Sequence, residues 1–323
     1  MKKRMISILL SAAMVAGAVT ANTAAVFAEG GDDYTVGMTL NLGNLTWAEL
    51  AEAAKAHAKE LGMDITVQNS NDDATTQVSQ IENFIQSGVD AIIVAAVESN
   101  SVEDVCKSAQ EAGIKVIAYT QVIENSDAQY LVDAYNTGYA CGERAAQWIK
   151  EVYGDEEIEW ALQDLPKYPE IIDRANGIKE AIEELAPNAK LVATQPAEVM
   201  EDGQKNAENF MQSNPNIKVI CSIGSGGGAG ANEGVKSYIS EDEYDKFGIF
   251  GIDATEQEIM NIINEDPQKS SVSLGGGAVH GEKLIDIADN FRNNVEQEKD
   301  QYMPITVIDS SNAQEYYDEQ YAK

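Results

Sequence analysis

The 323-residue chain carries 54 Asp and Glu against 22 Lys and Arg, a net charge of −32, with 44% hydrophobic residues. That length and balance describe a soluble globular protein with room for two domains of ordinary size. A surface this acidic repels phosphate backbones and anionic lipid heads, which argues against nucleic acid as a partner.

Lys2, Lys3 and Arg4 precede an apolar, small-residue stretch from Ile6 to Val19, and Val26-Phe27-Ala28 fits the rule for signal cleavage. Residues 1–28 are therefore expected to be a signal peptide removed after about Ala28. A retained anchor is the rival reading, but the apolar part falls short of the ~20 residues that span a bilayer. No Cys follows it, so no lipid attachment is expected, and the predicted address is extracytoplasmic.

Beyond residue 28, short apolar runs alternate with helical patterns. Strands are predicted at 34–40, 65–68, 89–97, 115–120 and 130–135, with helices at 47–61, 76–86 and 102–112 between them. Gly62, Gly88 and Gly113 close the three helices, and Ser101 is placed to cap the third. A helix at 137–153 then starts the plan again. Strands at 158–162, 191–195, 218–223 and 247–252 alternate with helices at 169–185 and 199–213 and one after the glycine run. The last part adds a strand at 271–274, a helix at about 278–293, a strand at 305–309 and a short acidic tail. Segments 89–120 and 217–253 both read strand, loop, helix, strand, which implies two similar α/β, Rossmann-like lobes with parallel sheets.

Asp253 ends the run FGID, at the strand edge where ligands bind in open α/β sheets. Its carboxylate can accept hydrogen bonds from hydroxyls, or it can cap the helix that follows. The run GSGGGAGAN, Gly224 to Asn232, lacks both the P-loop lysine and the GxGxxG spacing, so it reads as a close-approach loop lining a cleft. GGGAVHG, Gly275 to Gly281, reads as a second permissive loop between lobes. Trp47 and Tyr119 offer rings for stacking, or pack as core. Arg174, on a helical pattern with Ile171, Ile178 and Ile182, is by default solvated or salt-bridged. Cys106, Cys141 and Cys221 are odd in number and widely spaced, which suits buried free thiols. With His57 and His280 far apart, and neither CxxC nor HExxH present, no metal or cofactor is expected. No GxSxG or nucleophile and base pairing is legible, so no enzyme is expected.

The opening TVGMTLN, QIENFIQSGVDAIIVAAV, KVIAYT, YNTGYACGERAA, DRANGIKEAI, VATQPAE and IFGIDAT occur in an order and spacing that resembles periplasmic sugar-binding proteins of the ribose and galactose type. The resemblance runs over nearly all of the chain after the leader. It implies two lobes, 29–134 with 275–300 and 135–274 with 301–323, joined by a three-segment hinge and closing on a small ligand. It also implies a monomer that delivers a monosaccharide to the membrane permease of an ABC importer. Carried over by position, ligand contacts fall on Asn44, Trp47, Thr120, Gln121, Asn136, Arg174 and Asp253. Gly224, Ser225 and Leu274 stand where the family carries amide or charged groups, and Thr120-Gln121 stands where it carries Asp-Arg, so the ligand is expected to differ from ribose. Presentation of the closed form to a membrane chemoreceptor or sensor kinase, and binding of a nucleoside, are the alternatives.

Overall fold

Alternate residues of one short strand show how each sheet is built. In Ala91–Val94, Ile93 packs on one face with Met38, Leu50 and Leu284, while Ile92 and Val94 pack on the other with Ile81, Val102 and Cys106. A strand covered on both faces carries no polar alternation, which is why this stretch of sequence is uniformly apolar.

The protein is described from a computed structural model, which describes residues 34–43, 45–167 and 171–322. The expected signal segment, Asn44 and Pro169 lie outside these residues. In chain order the first half holds β1 (Tyr34–Leu40), α1 (Leu45–Glu60), β2 (Met63–Asn69), α2 (Ala74–Ser87), β3 (Ala91–Val94), α3 (Ser99–Glu111), β4 (Lys115–Thr120) and β5 (Ala128–Leu131). The second half holds α4 (Ala134–Tyr153), β6 (Ile158–Asp164), α5 (Ile172–Leu185), β7 (Ala189–Pro196), α6 (Met200–Ser213), β8 (Ile217–Ser222), α7 (Ser225–Lys236), β9 (Gly248–Ile252), α8 (Glu256–Ile263) and β10 (Gln268–Ser273). The chain then runs through α9 (Gly277–Arg292), β11 (Asp300–Tyr302), β12 (Thr306–Asp309) and α10 (Ala313–Gln320).

Two six-stranded sheets result, ordered β11-β5-β4-β3-β1-β2 and β12-β10-β9-β8-β6-β7. The first is parallel throughout, and the second is parallel except for β12, which runs antiparallel to β10. The orders match element for element, so β4 and β9 hold equivalent places. The chain passes between sheets before α4, before α9 and between β11 and β12. β11 belongs to the first sheet through Tyr302, so the expected division after residue 300 would cut a strand.

Several local expectations are corrected by the packing. The strand expected to reach Tyr135 stops at Leu131, because Asp133 accepts from Asn136 N at 3.0 Å and starts α4. Ser101 lies inside α3 and donates to Glu98 Oε2 at 3.0 Å rather than capping the helix. The expected acidic tail is helical, as α10. Most of the glycine run is not a loop but α7. A Cβ on Gly226 would lie 2.7 Å from Glu198 O, and one on Gly230 would lie 2.2 Å from Met200 O, so the α6–α7 contact requires these glycines. Backbone contact with α6 outweighs their low helix propensity. Gly277 and Gly281 likewise belong to α9, where a Cβ would lie 2.3 Å from Thr46 O and from Leu50 O of α1. Gly88 does stop α2, with a left-handed φ of 68° and its N–H on Phe84 O and Ile85 O. All three cysteines are buried and free, and burial pushes the Cys106 thiol up to about 12.

Candidate functional site

Parallel sheets place the carboxyl ends of their strands at one edge, and here β4 and β9 turn toward a common cleft of about 550 Å³. At both equivalent strand ends the backbone enters the left-handed region, with φ of 65° at Thr120, 98° at Asp253 and 46° at Ala254. Residues other than glycine hold such angles only where surrounding contacts impose them, and they cluster at ligand sites. Asp253 N donates to Val272 O at 2.8 Å and Ala254 N to Ser271 Oγ at 2.9 Å, which supplies that constraint.

Asp253 does not cap α8. That place is Thr255, whose N–H and hydroxyl both donate to Glu258 Oε2, at 3.1 and 3.2 Å. Asp253 is left facing the cleft, with its Oδ2 accepting from Ser225 N at 3.2 Å at the first turn of α7. Its Oδ1 accepts from Arg174 Nη1 at 3.2 Å. Arg174 is buried rather than solvated, and the same nitrogen donates to Ile223 O at 2.9 Å. The guanidinium stands behind Asp253 and fixes it, outside the lining of the cavity. Below this pair Glu258 is buried, and desolvation together with the nearby Asp253 charge raises its carboxyl to about 8. Gly228 and Gly251 give it room, since a Cβ on either would lie 2.5 or 2.1 Å from Glu258 Oε1.

The opposite wall is aromatic. Trp47, in the first turn of α1, meets Tyr119 edge-on with ring centroids 6.2 Å apart. Tyr119 stacks on toward Tyr130 and His280, at 6.2 and 6.0 Å, and His280 Nδ1 lies 3.3 Å from Tyr130 Oη. Burial pushes the His280 imidazole down to about 4, so it is neutral at pH 7. Between 6.5 and about 4 the unfolded chain therefore takes up a proton that the folded chain refuses. As pH falls through that window the His280 contribution to stability declines by an amount approaching about 3 kcal/mol, while Glu258, already protonated in the folded chain, contributes in the opposite sense. His280→Gln should therefore raise stability at pH 4.5 relative to pH 7 compared with wild type, read as urea midpoints at the two pH values; an unaltered difference would reject the assignment to His280.

Of the residues expected at the site, Trp47, Thr120, Ser225, Asp253 and Leu274 line the cleft. Gly224 lies just behind it, where a Cβ would be 3.8 Å from Asp253 Oδ2. Gln121 and Asn136 do not line it. Gln121 Oε1 accepts from Ser99 Oγ at 2.9 Å, and Asn136 Nδ2 donates to Asp133 Oδ2 at 2.6 Å within the α4 cap. Sequence reasoning missed His280, Glu49 and the residues of α10, Tyr316 and Gln320, with the adjoining Tyr321. Among the described residues no three His, Cys, Asp or Glu come together as metal ligands, and no helix is long and apolar enough to cross a membrane.

Two matched α/β halves with a cleft at their carboxyl edges define a two-lobed solute receptor. The chain belongs to the periplasmic binding protein family, whose domain matches residues 36–290. It is 24% identical over 237 residues to the ABC transporter periplasmic-binding protein YphF of Escherichia coli, covering 71% of this chain and 72% of that one. It is 26% identical over 308 residues to the D-apiose import binding protein of Actinobacillus succinogenes, covering 94% and 96%. In fold it is similar to the crystal structure of a periplasmic ribose ABC transporter protein from Conexibacter woesei, with a TM-score of 0.75, 18% identity and coverage of 88% and 94%. The protein is a binding protein and not an enzyme, and its family implies an extracytoplasmic location.

Proposed function

We propose that the protein binds a neutral monosaccharide or a closely related polyol in this cleft and hands it to the membrane permease of an ABC importer. The observation that carries the reading is the pairing of an oriented carboxylate, Asp253, with the ring of Trp47, backed by the buried Tyr119, in one cavity. A sugar ring has hydroxyls for the first and a carbon face for the second. The volume suits a ligand of that size. Glu49 and Asp253 line the cavity, and no lysine or arginine lines it among the described residues, so sugar acids and sugar phosphates are disfavoured by charge. Relatives named for sugar import support this reading over the sensor and nucleoside readings. The finer features of the proposal are a leader cleaved after about Ala28, a freely diffusing monomer and a permease partner.

The test is a thermal-shift panel on protein freed of bound ligand, covering aldoses, polyols, uronic acids, sugar phosphates and nucleosides. A compound present at a hundred times its Kd adds roughly 2.7 kcal/mol to stability. For a chain of this size that raises the midpoint by about 5–10 °C. A neutral sugar or polyol is expected to do so. A response confined to acids, phosphates or nucleosides would overturn the assignment.

A further inference from the structure

The last helix of the chain, α10, does more than cover the second lobe. Ala313 anchors it in a buried cluster with Ala254, Ile259, Ile262 and Ile308. Tyr321 Oη donates to Ala254 O at 2.8 Å, the carbonyl directly after Asp253, and Tyr316 Oη lies 2.8 Å from Ser273 Oγ at the end of β10. These two bonds hold the helix against the strained Asp253–Ala254 turn and against the crossing that leads into α9. Between them Gln320 reaches the cavity and is half-buried there. Its Oε1 lies over Gly276 at the start of α9, where a Cβ would be only 2.7 Å away. Among the described residues nothing hydrogen-bonds to the Gln320 amide, so a side chain with two donors and an acceptor oxygen lines the cleft without an internal partner.

We propose that Gln320 contacts the ligand and determines specificity, its amide exchanging hydrogen bonds with a hydroxyl beside the one that Asp253 accepts. The proposal rests on the reading of the cleft as a sugar site. Both groups act from one rigid surface, because Tyr321 ties the helix that carries Gln320 to the backbone that carries Asp253. The ligand is thereby read at two neighbouring positions by the second lobe alone, while Trp47 of the first lobe, backed by Tyr119, covers its carbon face. A half-buried amide that loses its ligand partner discriminates strongly against an analogue lacking that hydroxyl.

The test is titration calorimetry of wild type, Q320L and Q320N with D-ribose, D-xylose, D-apiose and xylitol, and with deoxy analogues of whichever binds. Q320L should bind about 5- to 150-fold more weakly, the range for an unpaired polar partner. It should also lose the wild type's preference for the parent compound over one deoxy analogue. Its ligand-free melting midpoint should stay unchanged, since Gln320 holds no internal bond, and Q320N should recover part of the affinity. Wild-type binding with equal affinity and equal deoxy discrimination in Q320L overturns the proposal and leaves the sugar reading intact. A wild type that responds to no neutral sugar or polyol in the thermal-shift panel overturns the sugar reading and, with it, this assignment.

Discussion

Gly138→Ala should lower the melting midpoint by about 2–10 °C and weaken ligand binding in the same variant. A methyl at 138 would stand 2.0 Å from Arg174 O and 2.6 Å from Arg174 Cα, so the α4 and α5 backbones must part. Overpacking of this kind costs typically about 1–3 kcal/mol, and backbone atoms cannot rotate away as a flexible side chain would. For a chain of this size that range corresponds to a few degrees up to about ten. The crossing is made tight from both sides, because a Cβ on Gly177 would lie 2.2 Å from Tyr135 O. The clashing atoms belong to the residue that fixes Asp253, so a shift of α5 displaces the guanidinium from its 3.2 Å contact. A melting curve and an affinity both equal to those of wild type would show that the two helices have slack here and would refute the account.

Asp253→Asn should weaken binding of the cognate ligand by about 1–3 kcal/mol, read by calorimetry, as a charged acceptor becomes a neutral amide. It should also reduce stability, because Arg174, whose side chain is 7% exposed, loses its counter-ion. The 38% exposure of the Asp253 side chain moderates the converse loss, since water can solvate the carboxylate when Arg174 is removed. The two effects separate in a double variant. Arg174→Met with Asp253→Asn should destabilise less than the sum of the single variants, because no buried charge is left unpaired. Its affinity should remain low. Additive stability effects would mean that the pair is not coupled, and undiminished affinity in Asp253→Asn would remove this residue from the site.

The alternation of strands and helices was legible in the chain because it depends on local pattern: apolar runs flanked by polar turns, and glycine at a helix end. The predicted strand at 115–120 coincides with β4, and Gly88 stops α2 as its left-handed φ of 68° requires. The place of Asp253 at a strand's carboxyl end was legible for the same reason, since the run Phe247 to Ile252 delivers it there. What local pattern could not supply was the choice between rival roles for one residue. Asp253 could cap a helix or face a ligand, and Thr255 with Glu258 decides it by taking the cap.

Everything that depends on residues distant in sequence was decided by the tertiary structure. Arg174 is buried because Asp253, 79 positions away, and Ile223 O, 49 positions away, receive it. Asn136 is withdrawn from the cleft because Asp133 engages it, while His280 enters because Tyr130, 150 positions away, accepts its company. The glycines of α7 are helical only because α6 presses on them, a contact that no propensity encodes. The sequence by itself determined two matched lobes and an acidic residue at the carboxyl end of a strand. Only the packing of α9 and α10 against their neighbours determined which aromatic and amide groups share that cleft, because that packing is set by shape and burial rather than by spacing along the chain.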